Sequence, residues 1–153
     1  MTLDFGNGTD ETLQAERFAA AWDEFVLAIR RAQARGPQSP DDLTLAQCYL
    51  LEPLSRERAL PLGQLADSAG VAPPTATRIV DGLEKAGIVR RERSDADRRT
   101  VLVSLTPAGR RRFTRKRKEL ARRRRRLYEA LEPAERAQSE RLLRHLAELI
   151  GQL

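Results

Sequence analysis

The chain has 153 residues, which is enough for one compact domain that buries its own core and too few for a multi-domain enzyme. Its composition, 41% hydrophobic and 33% charged with a net charge of +6, contains no apolar stretch long enough to cross a bilayer, so we expect no membrane association. One cysteine and one histidine offer almost nothing from which to build a zinc site or a catalytic triad, so we predict no enzymatic activity, no metal and no cofactor.

Two helices are predicted in the first third of the chain. Residues 1–9 have no apolar periodicity and are interpreted as an arm. From about residue 10 to 35, apolar residues recur every three or four positions, which predicts a long amphipathic helix that Gly-Pro ends. After a loop over 38–42, a second helix is predicted over 43–56, and Pro53 should bend or shorten it.

The centre of the chain has the pattern of two short helices that cross at a tight turn. A third helix is predicted over 61–69, and a fourth, opened by two prolines, over 73–86. Ala66 is small enough for the helices to touch, and Gly70 is free to take the positive φ that the turn needs. The inner face of the fourth helix is apolar at Ala76, Ile79, Val80 and Leu83. These features predict a helix-turn-helix.

The pattern then changes from helix to strand and back. Residues 88–93 and 100–105 read as two strands of a β-hairpin around a polar turn. A fifth helix is predicted from a Thr-Pro cap at 106–107 to about 131, and a sixth begins at Pro133. The sixth helix carries an apolar stripe too wide for a solvated helix, formed by Leu142, Leu143, Leu146, Leu149 and Ile150. Something must cover that stripe.

Basic residues are concentrated between residues 78 and 126. That segment holds 19 Lys or Arg against six acids, a balance of +13, whereas the rest of the chain balances at −7. Solvated helical faces are one explanation, but the segregation favours a polyanionic partner such as DNA or RNA. Because the start of the chain has no export signal, we expect a cytoplasmic location.

Candidate contact residues lie on the fourth helix and on the hairpin. The outer face of the fourth helix has short polar groups and one arginine suited to a major groove, at Pro74, Thr75, Thr77, Arg78 and Asp81. Arginines that could reach a minor groove surround the hairpin turn, at Arg90, Arg91, Arg93, Arg98 and Arg99. Asp95 and Asp97 could suggest a metal or acid-base pair, but local turn hydrogen bonds are the interpretation we favour.

Five short motifs follow one another in this part of the chain. They are Leu43-Thr44-Leu45-Ala46-Gln47, Leu62-x-x-Leu65-Ala66, Thr77-Arg78-x-Val80-x-x-Leu83-Glu84-x-x-Gly87-x-Val89, Asp95-x-Asp97-Arg98-Arg99 and Val103-x-Leu105-Thr106-x-x-Gly109. In order and spacing they resemble the multiple-antibiotic-resistance regulator (MarR) family of bacterial transcription factors. The specific part is 43–109, because the outer helices match in length and position only. Pro53 and the dense arginines of 110–126 depart from the family's pattern.

The resemblance implies a mainly α fold with a small β-hairpin wing. It implies one domain, in which helices at about 10–35 and 107–153 form a homodimer and residues 43–105 form a winged helix-turn-helix lobe that faces DNA. A dimer would cover the apolar stripe of the sixth helix. The extra arginines of the fifth helix either extend the DNA contact or solvate the helix.

The resemblance also implies roles for single residues. Thr75, Thr77 and Arg78 fall on the groove-facing part of the fourth helix, and Arg99 falls on the wing arginine that enters the minor groove, with Asp97 as its partner.

Family members commonly bind small aromatic or phenolic anions, which makes Trp22 and Tyr49 candidate ligand-binding residues. Core packing is the interpretation we favour for both. Cys48 lies inside the second helix, where we expect a small hydrophobe and not a redox sensor. His145 alone is not expected to bind zinc.

The sequence thus predicts a sequence-specific transcription regulator, a ligand-responsive repressor that binds a pseudo-palindromic operator in double-stranded DNA as a homodimer. The alternative is a sequence-independent architectural protein that binds DNA or RNA. An enzyme would need a pocket of convergent titratable groups, and the sequence supplies no nucleophile-base pair or phosphate loop.

Overall fold

The structure, a computed structural model, describes residues 7–34, 42–94 and 97–152. Its internal contacts divide the chain into two compact units, one ending at Leu45 and the other beginning at Ala46. Helices predominate, and one small antiparallel sheet lies in the second unit. The predicted fold class, mainly α with a β-hairpin wing, is therefore confirmed.

The first unit contains one long helix, α1 (Asn7–Ala34). The helix begins three residues before the predicted start at residue 10, so the prediction that the arm extends through residue 9 is wrong. Residues 1–6 of that arm, and 38–41 of the predicted loop, lie outside the described residues. Apolar side chains recur along α1 and are exposed within this chain, among them Leu13, Phe18, Phe25 and Ile29.

Helix α2 (Leu45–Leu51) lies at the start of the second unit. It ends before Pro53, because proline lacks the N–H that an extended α-helix needs. The chain continues as one 3-10 turn over Glu52–Ser55, whose last hydrogen bond runs from the N–H of Arg56 to the Pro53 carbonyl (3.1 Å). The predicted shortening at Pro53 is confirmed.

The next elements are two short helices and a three-stranded sheet. They are β1 (Leu60–Pro61), α3 (Leu62–Ala69), α4 (Pro73–Lys85), β2 (Val89–Arg93) and β3 (Val101–Leu105). The strands lie in the order β1-β3-β2, and the hairpin pairs Val89 with Leu105 and Arg93 with Val101. We refer to β2, β3 and the turn between them as the wing. The sequence predicted every one of these elements except β1, which at two residues is too short to show an alternation.

The core of the second unit consists of aliphatic side chains that these elements turn inward. The largest of them are almost fully buried: Leu50, Leu51, Leu54, Leu65, Val80, Leu83, Ile88, Val89 and Val103. Burying one such side chain contributes about 2 kcal/mol to the free energy of unfolding. This core fixes α4 and the wing on a common base.

Helix α5 (Pro107–Ala130) is capped by Thr106, as predicted. The Thr106 hydroxyl accepts a hydrogen bond from the N–H of Gly109 (2.9 Å) and donates one to the carbonyl of Gly87 (2.6 Å). The cap therefore also fastens the start of α5 to the end of α4.

Helix α6 (Pro133–Ile150) follows after a sharp corner. Arg136 holds the corner, because its guanidinium donates to the carbonyls of Tyr128 (3.1 Å) and Glu129 (2.6 Å), two of the last four carbonyls of α5. The apolar side chains on these two helices that are exposed in the single chain are Leu127, Tyr128, Leu142, Leu143, Leu149 and Ile150. None of the helices in the described ranges is long and apolar enough to span a membrane.

Candidate nucleic-acid interface

The turn between α3 and α4 has the geometry expected of a helix-turn-helix. Gly70 ends α3 at a φ of +62°, a conformation that glycine adopts without a steric penalty. Its N–H donates to the carbonyl of Asp67 (3.1 Å), and the next N–H, of Val71, donates to Ala66 (3.1 Å). Ala66 and Ala76 are fully buried, so small residues let the two helices approach closely. The motif presents the outer face of α4 to solvent.

The predicted contact residues of α4 lie on that outer face. Pro74, Thr77 and Arg78 are exposed and Thr75 is half-buried. The Thr77 hydroxyl donates to the Pro73 carbonyl (2.9 Å), which leaves its oxygen as an acceptor for a base or water. Arg78 forms no ion pair with any residue in the described ranges, so its guanidinium is available to an outside acceptor.

Arg91 joins the wing to α4, a role that the sequence analysis missed. Its guanidinium contacts the carboxylates of Asp81 (2.6 Å) and Glu84 (3.1 Å), and its backbone N–H donates to Glu84 (3.2 Å). The sequence pattern places Arg91 among the groove-facing arginines and Asp81 on the outer face of α4. In the structure, the two side chains form an ion pair with each other. This contact between partly exposed side chains joins the wing and α4 into one structural body.

The wing turn is organised by Asp97. Its carboxylate accepts hydrogen bonds from the backbone N–H of Arg99 (2.9 Å) and from the hydroxyl of Thr100 (2.9 Å). Arg99 is thus the partner of Asp97, as the resemblance implied, but the contact in the structure is to its main chain. The side chains of Arg98 and Arg99 are exposed. Asp95 lies outside the described residues, and the described residues contain no cluster of three or more metal-ligating side chains.

The two hydrogen bonds to Asp97 lower the pKa of its carboxyl below the usual value, the bond from Arg99 contributing most. A lowered pKa in the folded protein means that these bonds stabilise the turn at neutral pH and are lost as the pH falls below about 4. We expect the amide resonances of Arg99 and Thr100 to shift together in NMR spectra recorded between neutral pH and about pH 3. Asp97→Asn should remove that titration, and an unchanged pH profile in the variant would contradict the assignment.

The two candidate ligand-binding residues lie in different units. Trp22 is half-buried on α1 and stacks on Phe18, with 6.3 Å between ring centroids. Tyr49 on α2 is 55% exposed and lines an open cleft of about 490 Å³, so the favoured core role is wrong for Tyr49. The other residues lining the cleft are Glu52, Pro53, Arg56, Glu57, Ser68 and Ala69. Cys48 is buried, in keeping with its expected role as a small hydrophobe.

A model of the MarR family matches residues 43–101 of the chain. An uncharacterised HTH-type transcriptional regulator of Mycobacterium leprae is 40% identical over 80 residues, which are 52% of this chain and 54% of that protein. The chain therefore spans about half the length of the curated relatives that it matches.

Solved structures are similar over more of the chain. A MarR family transcriptional regulator from Silicibacter pomeroyi is 30% identical with a TM-score of 0.64, and the likeness covers 90% of this chain and 91% of that one. The transcriptional repressor CouR, solved bound to a 23-mer DNA duplex, is 32% identical with a TM-score of 0.66. The likeness covers 80% of this chain and 89% of that one.

Proposed function

The chain belongs to the MarR family of transcriptional regulators, which is not a class of enzymes, and we propose that it is a sequence-specific DNA-binding repressor acting as a homodimer. The observation that carries the proposal is the contact of Arg91 with Asp81 and Glu84. Because of this contact, one structural body presents both the exposed helix α4, the proposed recognition helix, and the arginine-bearing wing. The repressor CouR, whose fold is similar, was solved bound to a DNA duplex, which supports the proposal.

Each face of this body suits a different part of DNA. Helix α4 offers a hydroxyl acceptor at Thr77 and a guanidinium at Arg78, the groups that read base edges in a major groove. The wing offers Arg98 and Arg99 to the sugar-phosphate backbone and the minor groove. A two-fold dimer then requires a pseudo-palindromic operator with half-sites about 10 bp apart.

Homodimerisation is supported by the exposed apolar residues of α5 and α6. An isolated chain that exposes this many large apolar side chains would aggregate. A second copy related by a two-fold axis presents an identical apolar surface that covers them. The predicted division of the chain into dimerisation helices and a DNA-binding lobe forms part of this proposal.

Response to a small aromatic or phenolic anion is a further part of the proposal. The cleft beside Tyr49 offers a ring to stack on, and Arg56 offers a cation for the anionic group. Glu52 and Glu57 line the same cleft and repel an anion. The anionic group must therefore pair directly with Arg56. Binding would release DNA by favouring a spacing of the two lobes that no longer fits successive grooves.

A mobility-shift titration at fixed salt tests the function. The purified protein is titrated against the promoter fragment beside its own gene, with a scrambled fragment of equal length as competitor. We expect a preference for the native fragment of about a thousandfold or more. Equal affinity for the two fragments would contradict specific regulation and support the architectural alternative.

Arg78→Ala and Arg99→Ala should fail in different ways in the same assay. Arg78→Ala should weaken operator binding by about 1–3 kcal/mol and relax discrimination at one position of each half-site, because a base contact is lost. Arg99→Ala should weaken native and scrambled fragments alike and lower the salt slope by about one. Uniform weakening by Arg78→Ala would contradict its assignment to base recognition.

A further inference from the structure

One face of α5 is lined almost entirely by basic side chains. Six residues of this helix border a shallow groove of about 450 Å³: Arg110, Arg111, Thr114, Arg115, Lys118 and Arg122. We call this surface the basic stripe. Because α-helical residues advance by about 100° each, the six positions fall within less than half of the helix circumference.

The basic stripe lies opposite the side of α5 that packs into the second unit. Phe113 and Lys116 mark the packed side and are 2% and 6% exposed. By the same helical geometry, their positions are roughly half a turn away from the centre of the stripe. The stripe is therefore free to meet another molecule without disturbing the core.

Three carboxylates on or near α5 pair with cations outside the basic stripe, among them Glu129 with Arg125 (2.7 Å). Glu119 pairs with Lys116 (2.9 Å) and Arg123, and Glu52 pairs with Arg117 (3.2 Å). In contrast, four of the six stripe residues form no ion pair within the described ranges: Arg110, Arg111, Lys118 and Arg122. Four cations without an ion pair among the described residues therefore share this face of α5.

The start of the basic stripe is fixed next to the end of the recognition helix. Thr106 bonds to the carbonyl of Gly87, two residues beyond the end of α4, and Gly109 packs against the backbone of Ile88. Arg110 follows directly, and the stripe runs from there to Arg122, which is about 18 Å of helix. The stripe thus begins beside the C-terminal end of α4.

We propose that the basic stripe binds the phosphate backbone of DNA beyond the base pairs that α4 contacts. This proposal rests on the proposed function. A duplex segment about 18 Å long carries about ten phosphates, enough to engage all four unpaired cations. A lipid surface is disfavoured because an interfacial helix inserts apolar residues beside its basic ones, and the stripe contains none.

The test compares two duplexes, one limited to the sequence that the protein protects in its promoter fragment and one extended by about one helical turn on each side. The variant replaces Arg110, Arg111, Lys118 and Arg122 with glutamine. On the extended duplex we expect the slope of log affinity against log salt to fall by about 3–4, at about 0.9 for each lost phosphate contact. On the short duplex the variant and the wild type should agree.

Two controls separate charge from folding. A variant with Arg110, Arg111 and Arg122 replaced by lysine keeps every positive charge and should retain the wild-type slope. Arg58→Gln with Arg141→Gln removes two exposed cations outside the stripe and should leave the difference between the two duplexes unchanged. Circular dichroism and light scattering on each variant check helix content and mass.

A wild-type slope for the glutamine variant on the extended duplex would overturn the proposal. An equal loss of salt slope on both duplexes would also overturn it. So would a glutamine variant that loses binding to phosphatidylglycerol vesicles but keeps the wild-type slope on DNA. If the promoter titration shows no sequence preference, the same comparison is made on scrambled duplexes, because phosphate contacts do not depend on sequence. Failure of the proposed sequence-specific function can therefore be distinguished from failure of the basic stripe to bind phosphates.

Discussion

Gly109→Ala is expected to destabilise the second unit severely. A Cβ atom at this position would lie far inside the van der Waals contact distance of the Ile88 carbonyl oxygen and 2.7 Å from its carbonyl carbon. Both are backbone atoms between α4 and β2, so neither can rotate away as a side chain would. We expect a loss of about 3 kcal/mol or more in the free energy of unfolding and a fall of about 10 °C in Tm.

Gly82→Ala is the matched control for this experiment. Gly82 lies in the interior of α4, where an added Cβ meets no atom within 4 Å and φ is not positive. The same glycine-to-alanine change should therefore raise stability by about 0.5–1 kcal/mol through helix propensity. Thermal unfolding followed by circular dichroism measures both variants, and equal Tm values for them would refute the close approach of α5 to Ile88.

The double variant Leu142→Glu, Leu149→Glu should convert the proposed dimer to a monomer. These side chains are 56% and 47% exposed in the single chain, so charging them costs the isolated fold little. In a dimer they would become buried carboxylates without partners, which costs several kcal/mol for each subunit. We expect light scattering to give half the wild-type mass, and operator affinity to fall by at least a hundredfold because two half-sites are no longer bound together.

Ala137→Glu serves as its control, since residue 137 is exposed on the opposite side of α6 and the change adds the same type of charge. It should leave mass and operator affinity as they are in the wild type. A double variant that keeps the dimeric mass would remove α6 from the proposed interface.

The features of the fold that depend on neighbouring residues were predictable from the sequence. Gly70 and Thr106 are examples, because a positive φ and a helix cap are set within three or four residues. The same holds for the helix shortened at Pro53. For this reason the positions of α3, α4, the wing and α5 agree with prediction to within one or two residues.

Features that depend on residues distant in sequence were not predictable. Arg91 follows Glu84 by seven positions and resembles every other wing arginine until the strand direction brings it over α4. Lys116 looks like one more solvated cation in a basic helix, yet tertiary packing leaves it only 6% exposed. Strand β1 has no periodicity of its own and exists because Leu60 meets Val103 across the sheet.

For the proposed DNA complex, the contact of Arg91 with Asp81 and Glu84 also affects how the lobe dissociates. A recognition helix and a wing that moved independently would detach one after the other. Joined by Arg91, they behave as a bidentate ligand, and whichever contact breaks first is held at high effective concentration above its site and rebinds. The contact therefore lengthens residence on DNA far more than it accelerates association. In the proposed response to a ligand, both contacts must be moved together to shorten that residence.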